Sequence, residues 1–375
     1  MRSSLPITVP DRLEATLAFD RVPGLGARAY AALVRTYGDE REALGEDPVR
    51  LGRVPELSAI DWSVFDVGSA LEGARREIEE ARRAGVALLP LWDEAYPEAL
   101  KAIHDPPAVL RVIGRLPAVT TAPAVAIVGS RKATRYGSKT ARGLAAALGT
   151  CGCVIVSGLA RGIDTAAHEG ALDAGAVTWA VLGGGVLEVY PQENLGLAER
   201  IVAAGGALIS ERALRAPATP QSFPMRNRLI SALASAVVVA EAGAKSGALN
   251  TVDSALEQGR DVYAVPGNID SPASEGTNRL IRQGARPVVS AAELVRDLGL
   301  GEKLVQARPS LIAAAPPEDE TMLRVYTEAR EGASLDEIAE RTGLGAPSVA
   351  RALSLLTVRG LLRELPGKRY EEKIS

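Results

Sequence analysis

Four segments of the chain share one design, in which an apolar run ends in glycine or serine and turns toward a helix. They are Ala126-Ile-Val-Gly-Ser-Arg-Lys132, Ile155-Val-Ser-Gly-Leu-Ala-Arg-Gly-Ile-Asp164, Val181-Leu-Gly-Gly-Gly185 and Val239-Ala-Glu-Ala-Gly-Ala-Lys-Ser-Gly247. Glycine lets backbone N–H groups approach an anion closely, and each helix N-terminus adds roughly half a positive charge. Gly129, Ser130, Ser157, Gly158, Ser246 and Gly247 supply such turns, and Arg131, Lys132, Arg161 and Lys245 stand beside them. The chemistry that suits this set is phosphate binding. A single such turn would be explained by tight strand-to-helix geometry alone, but four with serines or cations alongside favour an anion site.

The densest cationic cluster is Ser222-Phe-Pro-Met-Arg-Asn-Arg-Leu-Ile230, at the entrance to an apolar helix expected over Met225–Ala234. Pro224 and Met225 suit a first helical turn, which leaves Arg226, Asn227 and Arg228 near the N-terminus. Cations there oppose the helix dipole by about 0.3–1 kcal/mol each, a conflict that a bound polyanion relieves. Phe223 is one of only three phenylalanines. An aromatic ring beside two arginines can stack a base while its phosphates are held. The competing reading keeps Phe223 in the core and pairs the arginines with carboxylates such as Glu211 or Glu241.

Other chemistries fit less well. A dinucleotide fingerprint needs G-x-G-x-x-G after the first strand, and neither Gly129-Ser-Arg131 nor Gly183-Gly-Gly-Val-Leu-Glu188 supplies it. The phosphate loop G-x-x-x-x-G-K-[ST] is absent, so no cofactor is expected. Asp164 and His168, four apart, share a helix face, yet no nucleophile or further ligand accompanies them, and a structural role is favoured for His168. Leu182-Gly-Gly-Gly185 with Glu188 echoes a loop of nucleotide-cleaving enzymes but lacks its threonine. Cys151 and Cys153 cannot build a disulfide framework or a zinc site, and read as buried structural thiols.

The elements that must position these residues follow from pattern. Residues 1–84 read as short helices, with Pro23-Gly-Leu-Gly26 resembling a helix–hairpin–helix turn and Glu72–Ala84 forming a charged, solvated helix. Residues 85–301 alternate nine short apolar strands, from Val86–Leu91 to Pro287–Ser290, with helices. Uninterrupted apolar strands are buried on both faces, which predicts an α/β fold with an extended Rossmann-like, mostly parallel sheet. Residues 302–317 read as an Ala/Pro-rich linker and residues 318–375 as a winged helix whose recognition helix, Ala346–Arg359, offers mainly Ser348, Arg351 and Arg359.

Composition bounds the partners. The 375 residues carry 43 Lys+Arg against 46 Asp+Glu, and only 4% are aromatic, so the core must be mainly aliphatic. Residues 120–290 hold 16 cationic against 13 acidic side chains, whereas both flanking regions are net negative. A nucleic-acid groove therefore belongs in the sheet domain. The first residues contain no apolar targeting core, and no apolar run reaches the ~18 residues of a membrane span, so the expected location is the cytoplasm.

Taken in order, these motifs resemble the DNA-processing protein A family. The resemblance spans nearly the whole chain and is densest from about Tyr96 to Ala285. It rests on Tyr96-Pro97 with Asp105-Pro-Pro107, Gly129-Ser-Arg131, Ser157-Gly-Leu-Ala-Arg-Gly-Ile-Asp164 with His168, Tyr190-Pro191 and Ile209-Ser-Glu211. Phe223-Pro-Met-Arg-Asn-Arg228, Glu241 with Ser246-Gly247, Val265-Pro-Gly267 and Gly276-Thr-Asn278 complete it. One departure is Gly185-Val-Leu-Glu188, where the family often has an Asp. The resemblance implies a homodimeric, non-enzymatic single-stranded DNA binder that loads RecA recombinase onto DNA coated by single-strand-binding protein. It places DNA contacts at Gly129, Ser130, Arg131, Phe223, Arg226, Asn227, Arg228 and Lys245.

Overall fold

The computed structural model describes residues 11–300, 320–329, 331–358, 362–365 and 369–372. Contacts divide the chain into two compact units, residues 1–301 and 302–375. The expected linker at Gln306–Pro317 lies outside the described residues.

Five helices open the first unit: α1 (Arg12–Asp20), α2 (Ala27–Tyr37), α3 (Glu40–Leu44), α4 (Pro48–Leu51) and α5 (Val67–Ala84). Aspartates start four of them, the side chains of Asp11, Asp39, Asp47 and Asp66 accepting from first-turn N–H groups. Their core gathers much of the scarce aromatic content. Phe19 stacks on Phe65 at 5.4 Å between centroids and meets Trp62 edge-on at 6.4 Å. The rest of this core is mainly aliphatic, as expected, Ala, Val and Leu supplying most of its buried residues.

The sheet region follows as β1 (Ala87–Pro90), α6 (Glu98–Lys101), β2 (Val109–Gly114), β3 (Ala124–Gly129), α7 (Arg135–Thr150) and β4 (Val154–Ser157). Next come α8 (Ile163–Asp173), β5 (Thr178–Val181), α9 (Leu195–Ala203), β6 (Ala207–Ser210), α10 (Ser222–Ala232) and β7 (Ala236–Glu241). The region closes with α11 (Leu249–Glu257), β8 (Asp261–Ala264), α12 (Glu275–Arg282), β9 (Arg286–Pro287) and α13 (Ala291–Asp297). The nine strands make one sheet in the order β1-β2-β6-β5-β4-β3-β7-β8-β9. From β6 to β9 every pairing is parallel, and only the β1–β2 and β2–β6 pairings are antiparallel. Alternate residues of β3 pack to opposite sides: Ala124, Ala126 and Val128 join the apolar layer holding Leu229, Ile230 and Val252 of α10 and α11. Contacts of α7 and α8 with β3 and β4 cover the other side.

Two of the boundaries that differ from expectation have a clear local cause. The ninth strand stops at Pro287 because Ser290 caps α13, its side chain accepting from Glu293 N–H at 3.1 Å. Helix α10 begins at Ser222 rather than Met225, since a proline in the first turn loses no helical hydrogen bond. Cys153 is buried as expected, while Cys151 is half-buried with its Sγ donating to the Ala147 carbonyl.

The helix over residues 72–84 is not a purely solvated face. Its Glu77 is buried and accepts from Arg111 Nε of β2 at 2.9 Å and from Arg21 at 2.6 Å. Arg111, 1% exposed, also donates to Asp20 at 2.8 Å and to the Glu211 carbonyl at 3.0 Å. Four donors of one guanidinium thereby bind α1, α5, β2 and the end of β6.

In the second unit, α14 (Glu320–Ala329), α15 (Leu335–Thr342) and α16 (Ala346–Val358) are followed by β11 (Leu362–Leu365) and β12 (Arg369–Glu372). A third strand not expected from the sequence, β10 (Glu331–Ser334), pairs antiparallel with β12 and completes the wing expected of a winged helix. Its last residue starts α15 through a capping box with Glu337. On α16, Ser348 and Arg351 are exposed, and Arg359 lies outside the described residues.

Removing one member of a buried ion network strands the others. Arg111→Ala is therefore expected to lower the unfolding free energy by about 3–5 kcal/mol in a urea titration. A loss near that of an ordinary surface substitution would show that the network contributes little.

Candidate nucleic-acid interface

The strand order reverses at β3. The chain winds outward through β4 and β5 on one side and through β7 and β8 on the other, so the turns after β3 and β7 diverge. Between them lies a cleft of about 720 Å³. Gly129, Ser130, Arg131 and Lys132 line it from the β3–α7 turn, and Gly243, Lys245, Ser246 and Gly247 from the β7–α11 turn. Helix α10 supplies Phe223, Arg226 and Asn227, and Ala160, Asp164 and Tyr190 close the remaining side.

A buried carboxylate sets the first turn. Glu241, at the end of β7, accepts from Thr134 N–H at 2.9 Å and from the Thr134 hydroxyl, while its carbonyl accepts from Ser130 N–H at 2.8 Å. Thr134 in turn caps α7 by accepting from Gly137 N–H at 3.1 Å. The loop that carries Arg131 and Lys132 is thus tied at both ends. Both cations are exposed, as is Lys245 across the cleft, and among the described residues none of the three forms an ion pair. The N–H groups of Arg131, Lys245 and Gly247 have no acceptor within the described residues. These are the donors and charges that a phosphate requires.

Phe223 lies half-buried in a sandwich. A Cβ at Gly183 would fall 2.9 Å from its ring, so that glycine exists to let the ring pack down. On the ring's face sits the Arg131 guanidinium, 4.3 Å from the centroid. Tyr190 lies 5.9 Å from Phe223 and was missed as a site residue, although it stood among the motifs quoted for the resemblance.

Several of the expected contact residues have partners within the protein. Arg226 is not a rim cation: it is 3% exposed, and it donates to the Gly158 carbonyl at 2.7 Å and to the Val181 carbonyl, the ends of β4 and β5. Burial pulls it down to about 10, with Asp164 opposing and Arg131 adding to the fall, so it remains charged at neutral pH. Arg228 is held by Asp105 at 2.6 Å and Glu211 at 2.7 Å, as the competing reading had it for Glu211. Arg161 is exposed but bound two-pronged to Glu193 at 2.6 and 2.8 Å. Ser157 is fully buried, donating to the Ile127 carbonyl at 2.6 Å. Asn227 spends its amide on the Gly247 carbonyl at 3.2 Å. Gly158 is packed under the Arg226 guanidinium, and its N–H donates to Asp164 at 3.1 Å. The third glycine turn serves packing: Gly184 and Gly185 lie against the backbone of residues 213–218, where no side chain fits.

Another cavity, about 680 Å³ beside the N-terminal helices, opens on Gly24, Gly26 and Arg28 but also on Glu56 and Asp105. Two carboxylates make it a poorer seat for a polyanion.

Residues 87–299 match the model of the DNA recombination-mediator protein A family, which is more than half of the chain. The chain belongs to this family. Residues 321–366 match the IclR helix-turn-helix domain, in accord with the winged helix of the second unit. Protein Smf of Escherichia coli K12 is 37% identical over 340 residues, covering 86% of this chain and 91% of that protein. The DNA processing protein DprA of Bacillus subtilis 168 is 40% identical over 223 residues, covering 60% of this chain and 75% of that protein. The crystal structure of DprA from Streptococcus pneumoniae aligns with TM-score 0.61 and 31% identity over 76% of this chain and 97% of that one. A structure of Helicobacter pylori DNA processing protein A, solved for its single-stranded DNA binding mode, aligns with TM-score 0.52 and 29% identity, covering 57% and 95%.

The segment that matches the recombination-mediator family contains every cleft residue and also His168, which does not line the cleft. His168 is fully buried on α8, its Nδ1 2.7 Å from the Thr178 hydroxyl. That hydroxyl donates to the Ile155 carbonyl, so the imidazole carries its proton on Nδ1. Burial, then the charge of Arg226, pulls His168 down to about 3. An unfolded chain takes up this proton near pH 6.5 while the folded one refuses it, so stability falls as pH drops below 6.5. One such group costs about 1.4 kcal/mol per pH unit, or roughly 2 kcal/mol by pH 5. Replacement by His168→Asn is expected to remove that part of the pH slope in urea titrations and to leave nucleic-acid affinity unchanged.

Proposed function

We propose that this chain grips single-stranded DNA in the cleft at the β3/β7 switch point and acts in the cytoplasm as a recombination mediator. In this reading it works as a homodimer and helps load RecA recombinase onto strands coated by single-strand-binding protein. The observation that carries the DNA-binding part is the convergence of Arg131, Lys132 and Lys245, unpaired and exposed, beside the Phe223 and Tyr190 rings. Cations neutralise phosphates, aromatic faces stack bases, and neither reads sequence. Membership of the recombination-mediator family and the single-stranded DNA bound by the Helicobacter pylori relative support the same choice. The reading is one of binding rather than catalysis: Asp164 and His168 are engaged in holding turns and strands, and the Gly183–Gly185 turn is filled by packing.

Filter binding of oligothymidine over a range of salt tests the site. Arg131→Ala and Lys245→Ala should each flatten the log–log salt slope by about 0.7 and weaken binding roughly 5-fold at 0.1 M salt. Arg131→Lys should keep the slope yet lose affinity, because an ammonium does not cover the Phe223 ring as a guanidinium does. Phe223→Ala should weaken binding with the slope intact, because Arg131 keeps its charge but loses the ring that positions it. A folded Arg131→Ala/Lys245→Ala protein that binds as tightly as the unaltered one would remove the site. The mediator role is read separately, from the rate of RecA assembly on a strand precoated with single-strand-binding protein. No acceleration by the chain would remove that part alone.

A further inference from the structure

The free cations do not stop at the cleft. Arg135 is the first residue of α7, directly after the tied turn, and Lys139 stands one turn further on, about 6 Å away on the same face. Both are exposed, and among the described residues neither forms an ion pair. Their placement is electrostatically unfavourable in isolation: a like-charged i,i+4 pair sits at a helix N-terminus, where the dipole disfavours cations. The only carboxylate bound at that terminus, Glu241, is buried and committed to Thr134. The next cation on the helix, Arg142, is held by Glu169 at 2.9 Å and by Asp173 at 2.6 Å, so the free line ends at Lys139.

Two cations on the opposite margin of the cleft are paired. There Arg161 is bound by Glu193, and Arg228 by Asp105 and Glu211. The free side carries an aromatic as well: Tyr136 is 53% exposed, its ring anchored over the end of β8 by a hydrogen bond from its hydroxyl to the Pro266 carbonyl at 3.0 Å.

We infer that single-stranded DNA held in the cleft leaves it in one direction only, over the N-terminal end of α7, where Arg135 and Lys139 take two further phosphates and Tyr136 offers a stacking face. This rests on the cleft being the DNA site, and it adds the path of the strand beyond it.

The test compares two oligothymidines, the shortest that the unaltered full-length chain retains and one of about 16 nucleotides. With the long strand, Arg135→Ala/Lys139→Ala should lower the salt slope by about 1.4 and weaken binding roughly 10- to 30-fold at 0.1 M salt. With the short strand the same variant should bind as the unaltered chain does. The charge-preserving Arg135→Lys/Lys139→Arg should restore the long-strand slope, and Tyr136→Ala should reduce long-strand affinity without changing it. Arg161→Ala should alter neither strand's slope. Equal losses on both strands would place the two cations in the cleft itself, and no loss on either would leave the cleft without this exit. A slope lost through Arg161→Ala instead would send the strand over the other margin. Each of these three results overturns the inference while the cleft stands; an unaltered chain that retains no oligothymidine overturns both.

Discussion

The cleft depends on one buried guanidinium. Arg226 reaches from α10 to the carbonyls that end β4 and β5, and no apolar side chain could satisfy those two acceptors at once. Asp164 lies beneath the same turn, its carboxyl raised by burial against the opposing pull of Arg226 and of the Ala160 and Gly158 N–H groups. This tie brings the start of α10 down onto the Gly183 turn, which in turn seats the Phe223 ring where Arg131 can cover it. A cation that looked like a ligand contact is thus a fastening that shapes the cleft.

Ion pairing then sorts the remaining cations into two populations. Arg161, Arg228 and Arg142 each meet one or two carboxylates, whereas Arg131, Lys132, Lys245, Arg135 and Lys139 meet none among the described residues. The exposed pairs among these, those of Arg161 and Arg142, contribute little to stability, but each pair removes a charge from the local field. A sheet region with a net charge of only a few units can therefore still gather unpaired cations beside the cleft. The net excess matters less than which arginines lack a neighbouring acid.

The same arithmetic appears at the other end of the sheet with a different result. Arg111 carries no external charge because Glu77 and Asp20 enclose it, and its role is to fasten α1 and α5 to β2. Arg21 extends that fastening to the Gly73 carbonyl. The family match begins at residue 87, so these N-terminal helices lie outside the matched segment even though they share a compact unit with the sheet.

Much of this was legible in one dimension. Uninterrupted apolar strands such as Ala124–Val128 required burial on both faces, and burial on both faces in parallel strands required helices on each side; hence the layered α/β region was readable from composition and period alone. The turns at Gly129–Arg131 and Lys245–Gly247 were readable for the same local reason, since strand, glycine and helix follow each other in the chain. What the chain order could not disclose was which charges would be brought together over long separations. Arg228 meets Asp105 across 123 residues and Glu77 meets Arg111 across 34, so whether a given arginine is a fastening, a neutral surface pair or an unpaired cation was settled only when the sheet closed. Local backbone geometry is encoded within a few residues, but a charge acquires its meaning from what folds against it.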